Sequence, residues 1–211
     1  MAGDEILKTG TTTIGLKLKD GVILATDQRA TMGNLIANSD VRKVYPLSDN
    51  IGMTIAGSVG DAQLMVRYMT AEIALYSMKK GSRISVRSAA TLVANVIRQG
   101  FYLGLIVGGY DTSGGHVYSI DGAGGYLEDR YMSVGSGSVF ALGSLEGSFK
   151  DGMTKDEGMD VAITALNSSR RRDTFSGDGF MMAYIDKDGY QEIPQSEIVE
   201  RCEKLGFRYP N

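Results

Sequence analysis

The feature that most constrains this chain is a hydrophobic period that switches back and forth along its length. TTTIGLKLK, beginning at Thr11, alternates with Ile14, Leu16 and Leu18 on one face. Asp20-Gly21 is a strong turn signal, and VILATD returns as the second strand of a hairpin. VRKVYPL and NIGMTIAG predict two further strands, with the turn at 48–50. From Gly60 to Lys79 the period becomes about 3.6, with Ala62, Met65, Val66, Met69, Ile73 and Tyr76 on one helical face. Gly81 ends that helix. A second helix opens at Ser85, with Val86, Ala90, Val93 and Ile97 on its stripe.

The alternation then returns. LGLIVGGYD, HVYSID and YLEDRYMSV each predict one strand. A third helix is expected from Ser138 to Phe149. Thr154 and Glu157 form a capping box for a fourth helix running toward Arg172. GFMMAYID and YQEIP form a last hairpin around Lys187-Asp188-Gly189, and Ser196 to Leu205 predicts a closing helix. Strands in sets and helices in pairs predict an α+β domain, two sheets face to face with helix pairs outside, rather than a βαβ repeat. No linker or repeat divides the chain, which reads as one domain from 11 to 211 behind a short polar leader at 1–10.

Composition excludes several chemistries. The chain has 211 residues, 28 of them Gly and only 3 Pro, as expected of many tight turns. A net charge of −3 provides no general attraction to nucleic acid or to an anionic membrane surface. No apolar run reaches spanning length, and the first residues lack the basic and apolar regions of a secretory signal. These features predict a cytoplasmic protein. With one Cys and one His, a Cys-rich or His-rich zinc site is excluded. No metal and no cofactor are expected. His116, in GGHVYSID, reads as a structural or surface residue, so a nucleophile here must take its base from Lys, a carboxylate or a free amine.

Gly10-Thr11-Thr12-Thr13 has two readings. β-Branched Thr is ordinary at a strand start. Were Thr11 to become N-terminal, its amine, titrating near ~7.7–8.0, could take the proton of its own hydroxyl. Lys43 could be a solvated cation or, if buried, could lower the hydroxyl pKa. Asp27 could be a turn residue or could hold that Lys. Gly57, where a strand meets a helix, could offer its N–H to an oxyanion. VGSGS at 134–138 lacks the Lys of a phosphate loop. The arginines at 170–172 complement a helix C-terminus or sit at a subunit contact.

Each feature is bland alone. Together, TTTIGLKLKDGVILATDQRAT, RKVYPLSDNIGMTIAGSVGDAQ, VGSGS, TKDEG and RRRDTFSGDG closely resemble the archaeal-type proteasome β-subunit family in order and spacing, from Thr11 to about Leu205. The resemblance implies an N-terminal-nucleophile hydrolase with a four-layer αββα sandwich. It implies Thr11 as nucleophile and, once freed by cleavage after Gly10, as base. Lys43 would tune the hydroxyl and Asp27 would orient Lys43. Ser136, Asp173 and Ser176 would support the amine, and Gly57 N–H would line the oxyanion hole. Ala30, Thr31, Val41, Ile55, Val59 and Gln63 would form the pocket for the side chain before the scissile bond. Its apolar base, Ile55, implies cleavage after apolar residues. Asp178 departs from the small or apolar residue expected at that place.

The resemblance further implies homo-heptameric β rings, stacked β on β between α-subunit rings. Unfolded polypeptides would be the substrates, delivered by an ATP-dependent unfoldase acting through the α ring. Residues 1–10 would be a propeptide removed by autocatalysis. Three alternatives stand beside it: an N-terminal-nucleophile amidase acting on a small molecule, an inactive structural ring subunit, and the simpler bacterial relative with smaller rings.

Overall fold

The structure, a computed structural model, describes residues 10–209. The predicted propeptide lies outside the described residues except for Gly10.

The first hairpin forms as its alternation requires. β1 (Thr13–Lys17) pairs antiparallel with β2 (Gly21–Asp27). β2 is buried on both faces. Ile23 and Ala25 face one apolar cluster, while Val22 and Leu24 face another. β3 (Ala30–Met32) and β4 (Leu35–Asn38) form a separate, largely exposed hairpin. The sequence reading missed it, although Gly33-Asn34 is a two-residue hairpin turn. β5 (Val44–Ser48) begins later than Val41, where that strand was expected to start, and pairs with β6 (Ile51–Gly57).

α1 (Val59–Lys80) follows, capped by the Ser58 side chain and ended by Gly81 at φ 67°. Its Ala62, Met65, Met69 and Ile73 are buried, and Val66 packs against the same cluster. Tyr76 lies at the edge of the stripe and is exposed. α2 (Val86–Ile97) is capped by Ser85 and buries Val86, Ala90, Val93 and Ile97 as predicted. Next come β7 (Leu103–Asp111) and β8 (Gly114–Ile120).

The expected single strand YLEDRYMSV is corrected. It is split into β9 (Tyr126–Glu128) and β10 (Tyr131–Val134), which belong to different sheets. Asp129 and Arg130 are exposed between them. A charged pair cannot enter the apolar space between two sheets without desolvation, so the chain crosses from one sheet edge to the other at that point. α3 (Ser138–Ser148), α4 (Lys155–Arg170), β11 (Phe180–Asp186), β12 (Gly189–Glu192) and α5 (Gln195–Lys204) complete the chain. The Thr154–Glu157 capping box at the start of α4 is formed on both sides.

One sheet has the order β10-β1-β2-β11-β12 and the other β5-β6-β7-β8-β9, all pairings antiparallel. Val22, Leu24, Ile106, Val117 and Ile185 fill the space between them. α1 and α2 cover the outer face of the β5–β9 sheet. α3, α4 and α5 cover the other sheet. This is the four-layer αββα sandwich. No helix among the described residues is long and apolar enough to cross a membrane.

Candidate active site

Thr11 lies two residues before the start of β1 and is almost wholly buried. Its hydroxyl donates to the Gly10 carbonyl at 2.6 Å. Lys43 Nζ donates to the same Oγ1 at 2.8 Å and to Asp27 Oδ1 at 3.0 Å. Asp27 ends β2, and pairing of β1 with β2 brings it beside the Thr11–Thr12 backbone. Thr12 N–H donates to Asp27 Oδ1 at 2.9 Å. Arg29 N–H and Gly177 N–H donate to the other oxygen, at 3.1 and 3.0 Å.

Burial is the largest influence on both charges. It raises the Asp27 carboxyl above its ordinary value against the pull of Lys43 and its backbone donors. It lowers the Lys43 ammonium against the pull of Asp27. The pair is held in an environment that makes each charge costly, which is where a side-chain proton is easily moved.

On the other side, Thr11 N–H donates to Ser136 Oγ at 3.1 Å. Ser136 and Ser176 each donate to Asp173 Oδ2 at 2.6 Å. Thr12 Oγ1 lies 2.7 Å from Ser176 Oγ. Gly135 precedes this group at φ 112°, and a Cβ there would fall 2.0 Å from the Thr11 carbonyl oxygen. Only glycine allows that approach. Thr11, Asp27, Lys43, Ser136, Asp173 and Ser176 are therefore brought into one hydrogen-bonded cluster.

A pocket opens beside Thr11. Ala30, Thr31, Val41, Ile55, Gly57 and Val59 line it, as do Gly10, Arg29, Arg42, Lys43, Tyr45 and Ala62. Gln63 is exposed on α1 and its neighbour Ala62 lines the pocket instead. Thr31 Oγ1 is buried with no hydrogen-bond partner among the described residues. Gly57 ends β6 at φ 136°, next to the N-cap of α1. The first turn of α1 thus directs its helix dipole's positive end toward the pocket.

His116 lies outside the cluster, bonded to Glu128 and Ser113. Thr12, Arg29 and Gly177 were missed by sequence reasoning. Thr12 carried a signal, being next to Thr11 in a strand that must pair with the Asp27 strand. Arg29 and Gly177 carried none, because Gly177 reaches Asp27 across 150 positions of sequence and the Arg29 side chain is held by Asp178 and Thr174, 149 and 145 positions away.

A family model described as proteasome subunit matches residues 7–185. A protein of Methanobrevibacter smithii named proteasome subunit beta is 43% identical over 203 residues, 96% of this chain and 99% of its own. Proteins of the same name from Methanocorpusculum labreanum and Thermoplasma acidophilum are 48% and 46% identical, covering 91% and 97% of this chain and 93% and 99% of their own.

Proposed function

The chain belongs to the proteasome subunit family as a β-type threonine peptidase of the core particle, and from that premise we propose that Thr11 is its nucleophile, exposed by self-cleavage after Gly10. The observation that carries the reading is Lys43 Nζ at 2.8 Å from Thr11 Oγ1 while the same hydroxyl touches the Gly10 carbonyl.

With Gly10 attached, the Thr11 nitrogen is an amide and cannot act as a base. Self-cleavage begins with Oγ1 adding to the Gly10 carbonyl carbon as its proton leaves. Breaking the Gly10–Thr11 C–N bond then moves the acyl group to Oγ1 and protonates the departing nitrogen. Water hydrolyses the resulting ester, leaving a Gly10 carboxylate and a free Thr11 amine. That amine stays beside Ser136 and the Asp173–Ser176 pair, and a free amine titrates near ~7.7–8.0. It takes the Oγ1 proton as Oγ1 attacks a substrate carbonyl. The lysine cation favours the developing alkoxide, and Gly57 N–H with the α1 N-terminus favours the oxyanion. Collapse releases the substrate amine, which takes the proton back, and water opens the acyl ester.

Ile55 and Val41 support a pocket for apolar side chains, and the orphan Thr31 hydroxyl is available to a substrate's backbone. Arg29 and Arg42, also at the pocket, are already engaged by Asp178 and Glu192. Assembly into core rings comes with the family. Seven-membered β rings stacked between α rings, unfolded polypeptide substrates delivered by an unfoldase, and a cytoplasmic setting belong to this proposal.

Hydrolysis of matched fluorogenic peptides by the assembled particle tests it. Peptides with Leu, Phe or Tyr before the scissile bond are expected to be cut faster than those with Glu or Arg, and Thr11→Ala particles to cut none. Faster cleavage after Glu or Arg would contradict the pocket reading, and activity in Thr11→Ala would contradict the nucleophile.

A further inference from the structure

Ser136 of the β10–α3 turn apart, the side chains around Thr11 come from two distant stretches of chain. Asp27 and Lys43 come from the first, and Asp173 and Ser176 from the loop between α4 and β11. The β2–β11 ladder joins them as far as Asp27 and Phe180, and beyond it the backbones meet where Gln28 N–H reaches the Gly177 carbonyl at 3.3 Å. Asp27 spans the join through Gly177 N–H, and Arg29 spans it further out. Arg29 Nε donates to Asp178 Oδ2 at 2.9 Å and Nη2 to Oδ1 at 3.2 Å, while Nη1 donates to the Thr174 carbonyl at 2.9 Å. The guanidinium lies against Gly177, where a Cβ would fall 2.4 Å from Nη2. Arg29 is fixed at its other end too, since its own N–H binds Asp27.

Asp178 is the one non-glycine residue at positive φ among the described residues, at 62°. Flanked by Gly177 and Gly179, it sits in a conformation that glycine holds at no cost. Asp is among the few L-residues that visit this region, and here its surroundings hold it there. What surrounds this carboxylate is the two-pronged Arg29 bond, the geometry that best fixes both partners.

We propose that Arg29 and Asp178 are positioning residues that lock the 173–178 loop against the end of β2, setting the register between the Asp27–Lys43 pair and the Ser136–Asp173–Ser176 group. The inference rests on the reading of Thr11 as nucleophile. Neither side chain touches the reacting atoms. Their effect passes through Asp27, whose second oxygen is shared by Arg29 N–H and Gly177 N–H, one from each stretch.

The charges also reach the lysine. Asp27, Asp178 and Arg29 bear on Lys43 after burial itself, Asp27 and Asp178 favouring its ammonium and Arg29 opposing it. Removing Asp178 leaves Arg29 uncompensated, so Lys43 loses its proton at lower pH. Removing Arg29 does the opposite. A purely structural role would not shift the alkaline limb of activity in opposite directions.

The experiment measures self-processing by mass, and kcat and KM against pH, for assembled particles of Asp178→Asn, Asp178→Gly, Arg29→Met and the Thr11→Ala control. Asp178→Asn is nearly isosteric and Asn tolerates the left-handed conformation. Asp178→Gly relieves the backbone. Together the two variants separate loss of the carboxylate from relief of the backbone. Misplacing catalytic groups by about 1 Å can cost ~100-fold. We expect kcat per assembled site to fall about tenfold in the Asp178 variants with KM within about twofold. The alkaline limb should move down for Asp178→Asn and up for Arg29→Met. Unchanged kcat per assembled site, or limbs moving together, would overturn the clamp. Activity in Thr11→Ala would overturn the reading of the site instead.

Discussion

Lys43 is the residue on which the site's electrostatics converge. Its ammonium is taken out of water at a cost that Asp27 only partly offsets, and it is aimed at a hydroxyl that must lose a proton. Replacing one member of such a buried pair leaves the other uncompensated, a change that costs about 3–5 kcal/mol. Lys43→Met is therefore expected to lower stability by about that much and to slow peptide hydrolysis at least about 100-fold in particles that still fold. Thermal unfolding and single-turnover kinetics check the two parts separately. Stability lost with hydrolysis retained would make Lys43 a structural cation. At this scale the sequence was legible where chemistry and position coincide. Thr11, Asp27 and Lys43 lie at strand ends, and a hairpin whose register follows from its alternation must bring Thr11 to Asp27. Arg29 was not legible, because its partners Thr174 and Asp178 are set by the packing of a distant loop. Asp178 stood out as a departure, but nothing in its neighbours said what it would bind.

At the scale of elements, the β7–β8 hairpin and β9 carry a polar network apart from the site. His116 Nδ1 lies 2.6 Å from Glu128 Oε1, and Tyr118 donates to Oε2 at 2.9 Å. Burial pushes the Glu128 carboxyl up, but its bonds to His116 and Tyr118 outweigh this and hold it below the ordinary 4.5. Asp111 is likewise held low: burial pushes it up, and bonds from Ser113 and the Val86 N–H at the start of α2 prevail. A depressed carboxylate contributes stability that is present above its unfolded value and lost as pH falls through its folded one. Wild-type protein is thus expected to lose more unfolding temperature between about pH 5 and about pH 3 than Glu128→Gln does. Equal losses would place the acid sensitivity elsewhere. The helices were the most legible elements, since Ser58, Ser85 and Thr154 mark starts and Gly81 marks an end by local chemistry. The split of β9 from β10 was hidden because both halves keep the strand alternation. Only the presence of two sheet edges, a property of the assembled layers, sends them apart.

For the whole molecule, the two stacked sheets hold Thr11 at the end of β1 where the β2 end, the β10–α3 turn and the α4–β11 loop converge. Apolar side chains remain exposed on the outer face of α1, at Leu64, Tyr68, Leu75 and Met78, and on the β3–β4 hairpin, at Met32, Leu35 and Ile36. A chain that works as a ring component has to present such contact surface. This fold is proposed to make its own catalyst by cutting the bond before Thr11, and the intact mass of the chain after co-expression with a matching α-type subunit reads that cut. The mass is expected to lack residues 1–10, and to be full-length for Thr11→Ala in equally assembled particles. A full-length chain in particles that hydrolyse peptides, or a Thr11→Ala chain cut at the same bond, would contradict it.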